Sequence, residues 1–362
     1  MCREEVEFPA VVLSWLSPVS QRFAVKSCTG TQQRCRGHSG PGRQPMADSP
    51  EVILPASPQK ESCSHECAGC ASAGTCPDAA AALHPKTNIS VRHVILVLSG
   101  KGGVGKSTIS VNLAYALSGH GYQVGLLDLD LHGPNIPKML GIEEHRLQML
   151  GHRIEPVHVT GSLSVVSMAF LLPDKTTPVI WRGPMKMAAI RQFLEDVNWG
   201  SLDFLVVDLP PGTGDEALTI AQLAPNVRGA VIVTTPQDVA TLDSRKAIKF
   251  VEKLGLPVLG VIENMSGMVC PHCGEEIDLF GKGGGKKIAD ELSVPFLGAI
   301  PLDIEMRRAG DEGRPFIIRH GNSPTWENMD RIMEALIKVI EGPGGAGTGS
   351  SPEKSGHSPA PH

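Results

Sequence analysis

Short apolar runs alternate with longer amphipathic stretches through the middle of the chain. The apolar runs are typical of strands buried on both faces, and the amphipathic stretches are typical of surface helices. The pattern predicts strands at 94–98, 122–127, 163–168, 203–207, 230–233, 258–262 and 296–300, and helices at 106–118, 185–197, 216–223, 240–254, 284–292 and 325–340. This alternation indicates an α/β fold, with a mostly parallel sheet covered by helices on both faces. Ligands of such sheets bind at the carboxyl ends of the strands.

The two ends of the chain lack this alternation. Residues 1–45 show no sustained period, and we expect a disordered leader; because a polar stretch follows Met46, we hypothesise that translation starts there. Residues 46–90 are predicted to form a segment that holds a group of cysteines, and residues 91–341 to form the folded domain. Residues 342–362, rich in Gly, Ser, Pro and His, are expected to be a disordered tail.

Composition narrows the class of protein. Among 362 residues, 33 Lys and Arg face 38 Asp and Glu, so the net charge is −5. This charge gives no general reason to bind nucleic acid or anionic lipid. No apolar run reaches the roughly 18 residues that a membrane helix needs, and the acidic start does not resemble a signal peptide. We therefore expect a cytoplasmic protein with neither nucleic acid nor membrane as a partner.

A glycine-rich turn after the first predicted strand carries the strongest motif. It fits GxxxxGK(S/T), the loop whose backbone N–H groups surround the phosphates of a nucleotide at a helix N-terminus. Lys106 is expected to neutralise phosphate oxygens and Ser107 to bind Mg²⁺. The predicted nucleotide-binding residues of this loop are Gly100, Lys101, Gly102, Gly103, Val104, Gly105, Lys106, Ser107 and Thr108.

A second lysine, Lys101, follows the first glycine of the motif. In this respect the loop resembles the deviant form of MinD/ParA-like ATPases, in which that lysine reaches the nucleotide of the partner subunit. The resemblance implies an ATP-dependent homodimer. An ordinary solvated lysine is the alternative.

Three aspartates end predicted strands near this loop. Asp208 follows an apolar run, which is the arrangement that holds Mg²⁺ beside a phosphate loop. Asp128 and Asp130 end another strand; we assign Asp130 to the attacking water and Asp128 to the metal's surroundings. A turn or capping role is the alternative for any one of them.

The nine cysteines suggest metal binding, because disulfides are rare in a reducing cytosol. Cys63, Cys67, Cys70 and Cys76 are close in sequence, and soft thiolates select iron–sulfur clusters or zinc. Their close spacing favours a 4Fe–4S cluster over a zinc ribbon, with unliganded thiols as a further alternative.

A second group, Cys270 and Cys273, supplies only half of a four-ligand site. A two-fold dimer would supply the other half from a second copy. A redox-active dithiol, or a zinc knuckle that uses His272, is the alternative.

Taken together, residues 91–340 resemble the Mrp/ApbC family of P-loop iron–sulfur cluster carrier ATPases. The matching segments are 99–108, 128–137, 179–185, 208–216, 234–237, 263–266, 270–273 and 300–303. The resemblance implies slow ATP hydrolysis with Mg²⁺, a homodimer, a 4Fe–4S cluster bridged by Cys270 and Cys273 of both subunits, and transfer to apo iron–sulfur proteins. It also implies that Asn264 and the stretch from Pro301 to Asp303 contact adenine.

The cysteines of residues 63–76 resemble an additional cluster site in the longer scaffold members of this family. Cys63 departs from their spacing, because they place the first cysteine further upstream. A related scaffold as hetero-partner remains open. Two other readings are a MinD/ParA-type positioning ATPase, which requires a basic membrane or DNA-binding element, and a non-catalytic zinc protein, which leaves the phosphate loop unexplained.

Overall fold

The computed structural model describes residues 86–131, 133–171, 183–316 and 323–342. The strands are β1 (Val91–Ser99), β2 (Val124–Asp128), β3 (Gln148–Leu150), β4 (Arg153–Glu155), β5 (Val157–Thr160), β6 (Leu163–Ser167), β7 (Leu202–Asp208), β8 (Val227–Thr234), β9 (Val258–Asn264), β10 (Met268–Val269), β11 (Glu276–Ile277) and β12 (Phe296–Ile300). The helices are α1 (Lys106–Gly119), α2 (Ile136–Met139), α3 (Gly183–Glu195), α4 (Asp215–Leu223), α5 (Asp238–Lys253), α6 (Gly284–Glu291), α7 (Ile304–Asp311) and α8 (Pro324–Glu341).

Eight of these strands form one sheet in the order β12-β9-β8-β1-β7-β2-β6-β5. All neighbours pair in parallel except β5 and β6, which are antiparallel. The register brings strand ends together: Val97 of β1 pairs with Asp208 of β7, and Asp208 pairs with Asp128 of β2. Two predicted site residues therefore lie side by side at the carboxyl edge of the sheet.

The central strands are buried on both faces. Every residue of β2 is buried, and in β1 only Arg92 is exposed. Helices α1 and α8 contact each other and pack against the sheet, while α5 and α6 form a second contacting pair against β8 and β9. Burial of one large aliphatic side chain stabilises the fold by about 1.5–3 kcal/mol, so the apolar strands provide a rigid base for the loops at their ends.

The predicted mostly parallel sheet with packed helices is confirmed, and each predicted strand and helix is present with ends shifted by a few residues. The sequence pattern did not predict α2, α7, the antiparallel strand β5 or the hairpins β3–β4 and β10–β11. The expectations for residues 1–45, for most of residues 46–90 and for the tail lie outside the described residues. No helix in the part of the chain that the structure describes is long and apolar enough to span a bilayer.

Candidate functional site

The predicted phosphate loop connects β1 to α1 at the carboxyl edge of the sheet. Gly103 and Gly105 have φ of 79° and 83°, a left-handed conformation that glycine adopts without strain. Gly105 is also the N-cap residue of α1, so the first N–H groups of that helix face the loop. This is the geometry that binds phosphate.

Lys106 and Asp208 form a buried ion pair beneath this loop. The Nζ atom of Lys106 lies 2.7 Å from Oδ2 of Asp208 and 3.9 Å from Oδ2 of Asp130. Asp208 also accepts hydrogen bonds of 2.6 Å from the hydroxyls of Ser107 and Ser110. Three donors, the ammonium group of Lys106 and the hydroxyls of Ser107 and Ser110, thus contact the Asp208 carboxylate.

Asp128 is fully buried beside Asp208. It accepts hydrogen bonds from the Ser167 hydroxyl (2.8 Å) and the backbone N–H of Asp130 (3.1 Å). Burial, and secondly the negative charge of Asp208, raise the pKa of Asp128 above its ordinary value. A divalent cation at this edge would favour the ionised form of Asp128.

The oxygen atoms at this edge suit magnesium. The Ser107 hydroxyl and the Asp208 carboxylate, 2.6 Å apart, are hard oxygen ligands of the kind that Mg²⁺ prefers, and Mg²⁺ usually takes its other ligands from substrate phosphates and water. Asp130 is oriented by a 3.2 Å hydrogen bond from the backbone N–H of Gly133. The residues present therefore fit the metal that the sequence predicts.

Lys101 lies half-buried at the start of the loop. Its carbonyl oxygen accepts a 2.9 Å hydrogen bond from the Ser99 hydroxyl. Its ammonium group has no hydrogen-bond or ion-pair partner among the described residues. A lysine placed in this way is available to a group outside its own chain.

The residues predicted to contact adenine have structural partners in the chain. The amide Nδ2 of Asn264 donates a 2.9 Å hydrogen bond to the carbonyl of Val104 in the phosphate loop. Asp303 caps α7 by accepting from the N–H groups of Glu305 (2.7 Å) and Met306 (3.3 Å). Adenine contact by Asn264, Pro301 and Asp303 stays a prediction.

Cys270 and Cys273 lie on the turn of the β10–β11 hairpin. The hairpin is closed by hydrogen bonds of 2.9 Å from Cys270 N–H to the Glu275 carbonyl and from Gly274 N–H to the Cys270 carbonyl. Cys273 is exposed and Cys270 is partly exposed. The backbone N–H groups of Cys273 and His272, followed by the Cys273 thiol, lower the pKa of Cys270 and favour the metal-binding thiolate.

The two thiols do not complete a metal site within one chain. Within the described ranges, no group of three or more His, Cys, Asp and Glu side chains is arranged to hold a metal ion. A cluster or zinc ion at this hairpin therefore needs ligands from elsewhere.

The comparisons with known proteins agree with this geometry. Residues 90–337 match the model of the ParA family described as NUBPL iron-transfer P-loop NTPase. The chain belongs to this family.

Curated relatives share about half of their residues with this member of the NUBPL-type family. The "Iron-sulfur cluster carrier protein" of Methanocaldococcus jannaschii is 49% identical over 286 residues, which cover 77% of this chain and 98% of the relative. The "Cytosolic Fe-S cluster assembly factor NUBP2 homolog" of Nematostella vectensis is 49% identical over 252 residues, which cover 68% of this chain and 94% of the relative. A solved nucleotide-binding protein of Archaeoglobus fulgidus, in complex with ADP, is 38% identical with a TM-score of 0.56, and the match covers 66% of this chain and 91% of that one.

The structure brings the predicted residues Lys106, Asp128, Asp130 and Asp208 together at one edge of the sheet, and it adds three supporting residues to which the sequence prediction assigned no role. Ser110 and Ser167 hold Asp208 and Asp128, and Glu263 binds the loop that carries the cysteines. Ser167 lies one residue before the end of a predicted strand, and Glu263 opens the family-like segment 263–266, so both carried a signal; Ser110 looks like an ordinary helix residue. Cys63, Cys67, Cys70 and Cys76 lie outside the described residues.

Proposed function

We propose that this chain is an ATP-hydrolysing iron–sulfur cluster carrier. In this proposal, two copies bind one 4Fe–4S cluster through Cys270 and Cys273 and pass it to apo-proteins. The observation that carries the proposal is the presence, in one domain, of a complete phosphate-loop edge and an exposed pair of thiols that is only half of a metal site. The names of the relatives, an iron–sulfur carrier and an iron–sulfur assembly factor, support this assignment.

ATP hydrolysis is assigned to the loop and the aspartates. Lys106 neutralises the oxygens of the β- and γ-phosphates, and its flexible side chain can move from Asp208 to the nucleotide. Asp130 orients the water that attacks the γ-phosphorus, and the bond from that phosphorus to the bridging oxygen breaks. Ser107, Asp208 and Asp128 would hold Mg²⁺, which offsets the charge on the phosphates. The ADP bound to the Archaeoglobus fulgidus protein supports a nucleotide at this edge.

We assign the cluster, as cargo, to the β10–β11 hairpin that carries Cys270 and Cys273, here called the thiol hairpin. Soft thiolates suit iron–sulfur clusters, and the lowered pKa of Cys270 favours that form. Two hairpins related by a two-fold axis give the four thiolates that a 4Fe–4S cluster requires. Ligands on an exposed turn at an interface also leave the cluster accessible to the thiols of an apo-protein.

The surroundings of both sites support a homodimer. Val269, Ile277 and Leu279 are exposed apolar side chains on or next to the thiol hairpin, with exposed fractions of 55%, 42% and 55%. Such side chains are suited to burial against a second copy. Lys101, which has no ion-pair partner among the described residues, is assigned to the nucleotide of the other subunit.

Several finer points belong to the same proposal. Cys63, Cys67, Cys70 and Cys76 are proposed to hold a second 4Fe–4S cluster, and hydrolysis is proposed to be slow and coupled to loading or transfer. Apo iron–sulfur proteins are the clients, and a related scaffold is a candidate hetero-partner. We place the protein in the cytoplasm, as the name of the Nematostella vectensis relative suggests.

Anaerobic reconstitution with iron and sulfide tests the cluster. The core site is isolated by changing Cys63, Cys67, Cys70 and Cys76 to Ser in the full chain. We expect a brown protein with the broad absorption near about 400 nm that 4Fe–4S proteins show, and loss of it when Cys270→Ala and Cys273→Ala are added. Glu276→Gln, an exposed residue of the same hairpin, is the matched control and keeps the colour. Tight zinc binding without uptake of iron contradicts the proposal.

A further inference from the structure

A buried carboxylate closes the loop that carries the two cysteines. Glu263, at the end of β9, is fully buried. Its Oε1 accepts hydrogen bonds from the Ser266 hydroxyl (2.5 Å) and the N–H of Gly283 (2.8 Å), and its Oε2 accepts from the N–H of Gly285 (2.5 Å). Ser266 begins the loop and Gly283 ends it, so one side chain fastens both ends of residues 265–283.

The start of α6 is shaped to receive this carboxylate. A Cβ atom on Gly285 would lie 2.9 Å from Cβ of Glu263 and 3.1 Å from its Oε2, so no larger residue fits there. The N-terminus of a helix favours a negative charge, and its first N–H groups have no partner within the helix. Glu263 satisfies two N–H groups at this end.

The base of the same loop is also fixed to the sheet. The N–H of Ser266 donates to the Ile300 carbonyl (2.9 Å), and the N–H of Leu302 donates to the Gly267 carbonyl (2.8 Å). These two hydrogen bonds and the contacts of Glu263 together fix the ends of the hairpin that carries the thiols.

The next residue along β9 contacts the phosphate loop. Asn264 donates to the Val104 carbonyl, and a Cβ on Gly105 would lie 2.2 Å from its Nδ2. Any movement of Val104 or Gly105 on nucleotide binding therefore acts on Asn264 directly. The hydrogen bonds of Glu263 to Ser266, Gly283 and Gly285 form a clamp on residues 265–283, here called the thiol loop. Because Asn264 follows Glu263 in the chain, this clamp and the contact to the phosphate loop are one peptide unit apart.

We propose that Glu263 is a positioning residue which, together with Asn264, transmits nucleotide binding at the phosphate loop to the thiols of Cys270 and Cys273. Asn264 follows the phosphate loop, and Glu263 moves the base of the thiol loop with it. This inference deepens the proposed function and rests on it for the roles of the two sites. It does not require a cluster to be bound.

Peptide-resolved alkylation of the metal-free full-length protein tests the relay. The rates at Cys270 and Cys273 are measured with a maleimide, under reducing conditions, with and without a saturating nonhydrolysable ATP analogue and Mg²⁺. In the native protein we expect the alkylation rate of each cysteine with the analogue to differ from its rate without the analogue by about fivefold or more, a usual size for coupling between sites. Equal rates with and without the analogue in the native protein contradict the inference.

Glu263→Gln is the decisive variant, because the amide keeps the shape but offers a donor where one N–H group needs an acceptor. We expect it to bring the ratio of the rates to within about twofold of one, while analogue affinity stays within about threefold of native. Glu276→Gln removes a carboxylate from the same loop, where Glu276 is exposed and pairs with Lys282, and it should keep the native ratio.

The inference is overturned if Glu263→Gln keeps the native ratio of the alkylation rates with and without the analogue. It is also overturned if Glu276→Gln lowers this ratio as much as Glu263→Gln does, or if Glu263→Gln weakens analogue binding by more than about threefold. If Glu263→Gln does not fold, Ser266→Ala removes only one contact of the clamp and should lower the ratio without abolishing it; an unchanged ratio there also overturns the relay. Failure to bind a cluster, in contrast, contradicts the proposed function and leaves this measurement unaffected.

Discussion

At the scale of single residues, the carboxyl edge of the sheet concentrates charge in a small buried volume. Asp128 and Asp208 lie on neighbouring strands, and Lys106 is the cation closest to Asp208 among the described residues. Two buried carboxylates repel each other, and their desolvation is costly unless cations and donors compensate it. The serines at 107, 110 and 167 supply donors, and a nucleotide-bound metal would supply further positive charge.

Lys106→Ala should reduce ATP turnover by about 100-fold or more, because it removes the cation that neutralises the phosphates. Asp208 keeps its two serine donors in this variant, so the fold should persist. Steady-state release of phosphate measures the effect. The matched control is Lys246→Ala, an exposed lysine of α5 whose surface ion pair contributes little. Unchanged hydrolysis in Lys106→Ala would refute the role of Lys106.

His93 should make the protein less stable as pH falls below about 6.5, the ordinary pKa of histidine. Burial first, and the nearby arginines second, lower the pKa of His93, whose Nδ1 accepts a 2.9 Å hydrogen bond from Arg228. The unfolded chain thus binds a proton that the folded chain resists, and stability present above pH 6.5 is lost as pH falls through this range.

His93→Phe keeps the ring contact with Phe204, whose centroid lies 5.1 Å away, and removes the titration. Urea unfolding at several pH values between 7 and 5 should show a flatter pH dependence for the variant than for the native protein. Parallel pH profiles for the two proteins would show that His93 is not responsible.

At the scale of elements, the strand ends are joined to helices by caps that the sequence does not reveal. Asp303 accepts from the first N–H groups of α7 and also from the Thr325 hydroxyl of α8 at 2.6 Å. One carboxylate therefore connects the end of β12 to two helices. A family resemblance gives the same residue a role at the nucleotide, and the two roles make different predictions.

Asp303→Ala should lower the free energy of unfolding by about 1–2 kcal/mol, the usual cost of losing an N-cap. Thr325→Val is the matched control that removes only the contact between helices. Chemical denaturation gives the stability, and titration with a fluorescent ATP analogue gives the affinity. A loss of affinity in Asp303→Ala but not in Thr325→Val supports the adenine contact, and equal affinities limit Asp303 to capping.

The sequence predicted the sheet because its central strands are continuous apolar runs, and it predicted the phosphate loop because that chemistry needs fixed spacings. It missed the short hairpins, since β10 and β11 have only two residues each, mostly exposed, which is too short for a periodic signal. Glu263 was also missed, because its partners Gly283 and Gly285 are distant in sequence and meet it only in the folded chain. Patterns locate buried strands and motif residues, whereas tertiary contacts decide which polar residues support them.

At the scale of the whole molecule, a second copy could complete both the thiol site and the nucleotide site. For the proposed cluster, the thiol pair supplies two of four ligands, and the ammonium group of Lys101 has no ion-pair partner among the described residues. In the proposed homodimer, a second copy would cover the exposed apolar side chains at the thiol hairpin. One association would complete the metal ligands and bring Lys101 to a nucleotide.

Lys101→Ala should weaken nucleotide-dependent dimerisation while the subunit still binds ATP through its own loop. We expect the dimer dissociation constant, measured by analytical ultracentrifugation with a nonhydrolysable analogue, to rise about tenfold, since one desolvated charged contact contributes about 1.4 kcal/mol or more. Lys249→Ala, an exposed lysine of α5 in a surface pair, is the control. An unchanged dissociation constant would make Lys101 an ordinary surface lysine.

The most direct test of the account is the mass and the iron and sulfide content of the reconstituted protein. The measurement uses the full chain with serine at positions 63, 67, 70 and 76, purified without oxygen. The account predicts a dimer that holds one 4Fe–4S cluster per two chains and that loses both the cluster and the metal-dependent dimer in the Cys270→Ser, Cys273→Ser protein. A monomer that retains a complete cluster, or a dimer whose iron is unaffected by loss of these two thiols, would contradict it.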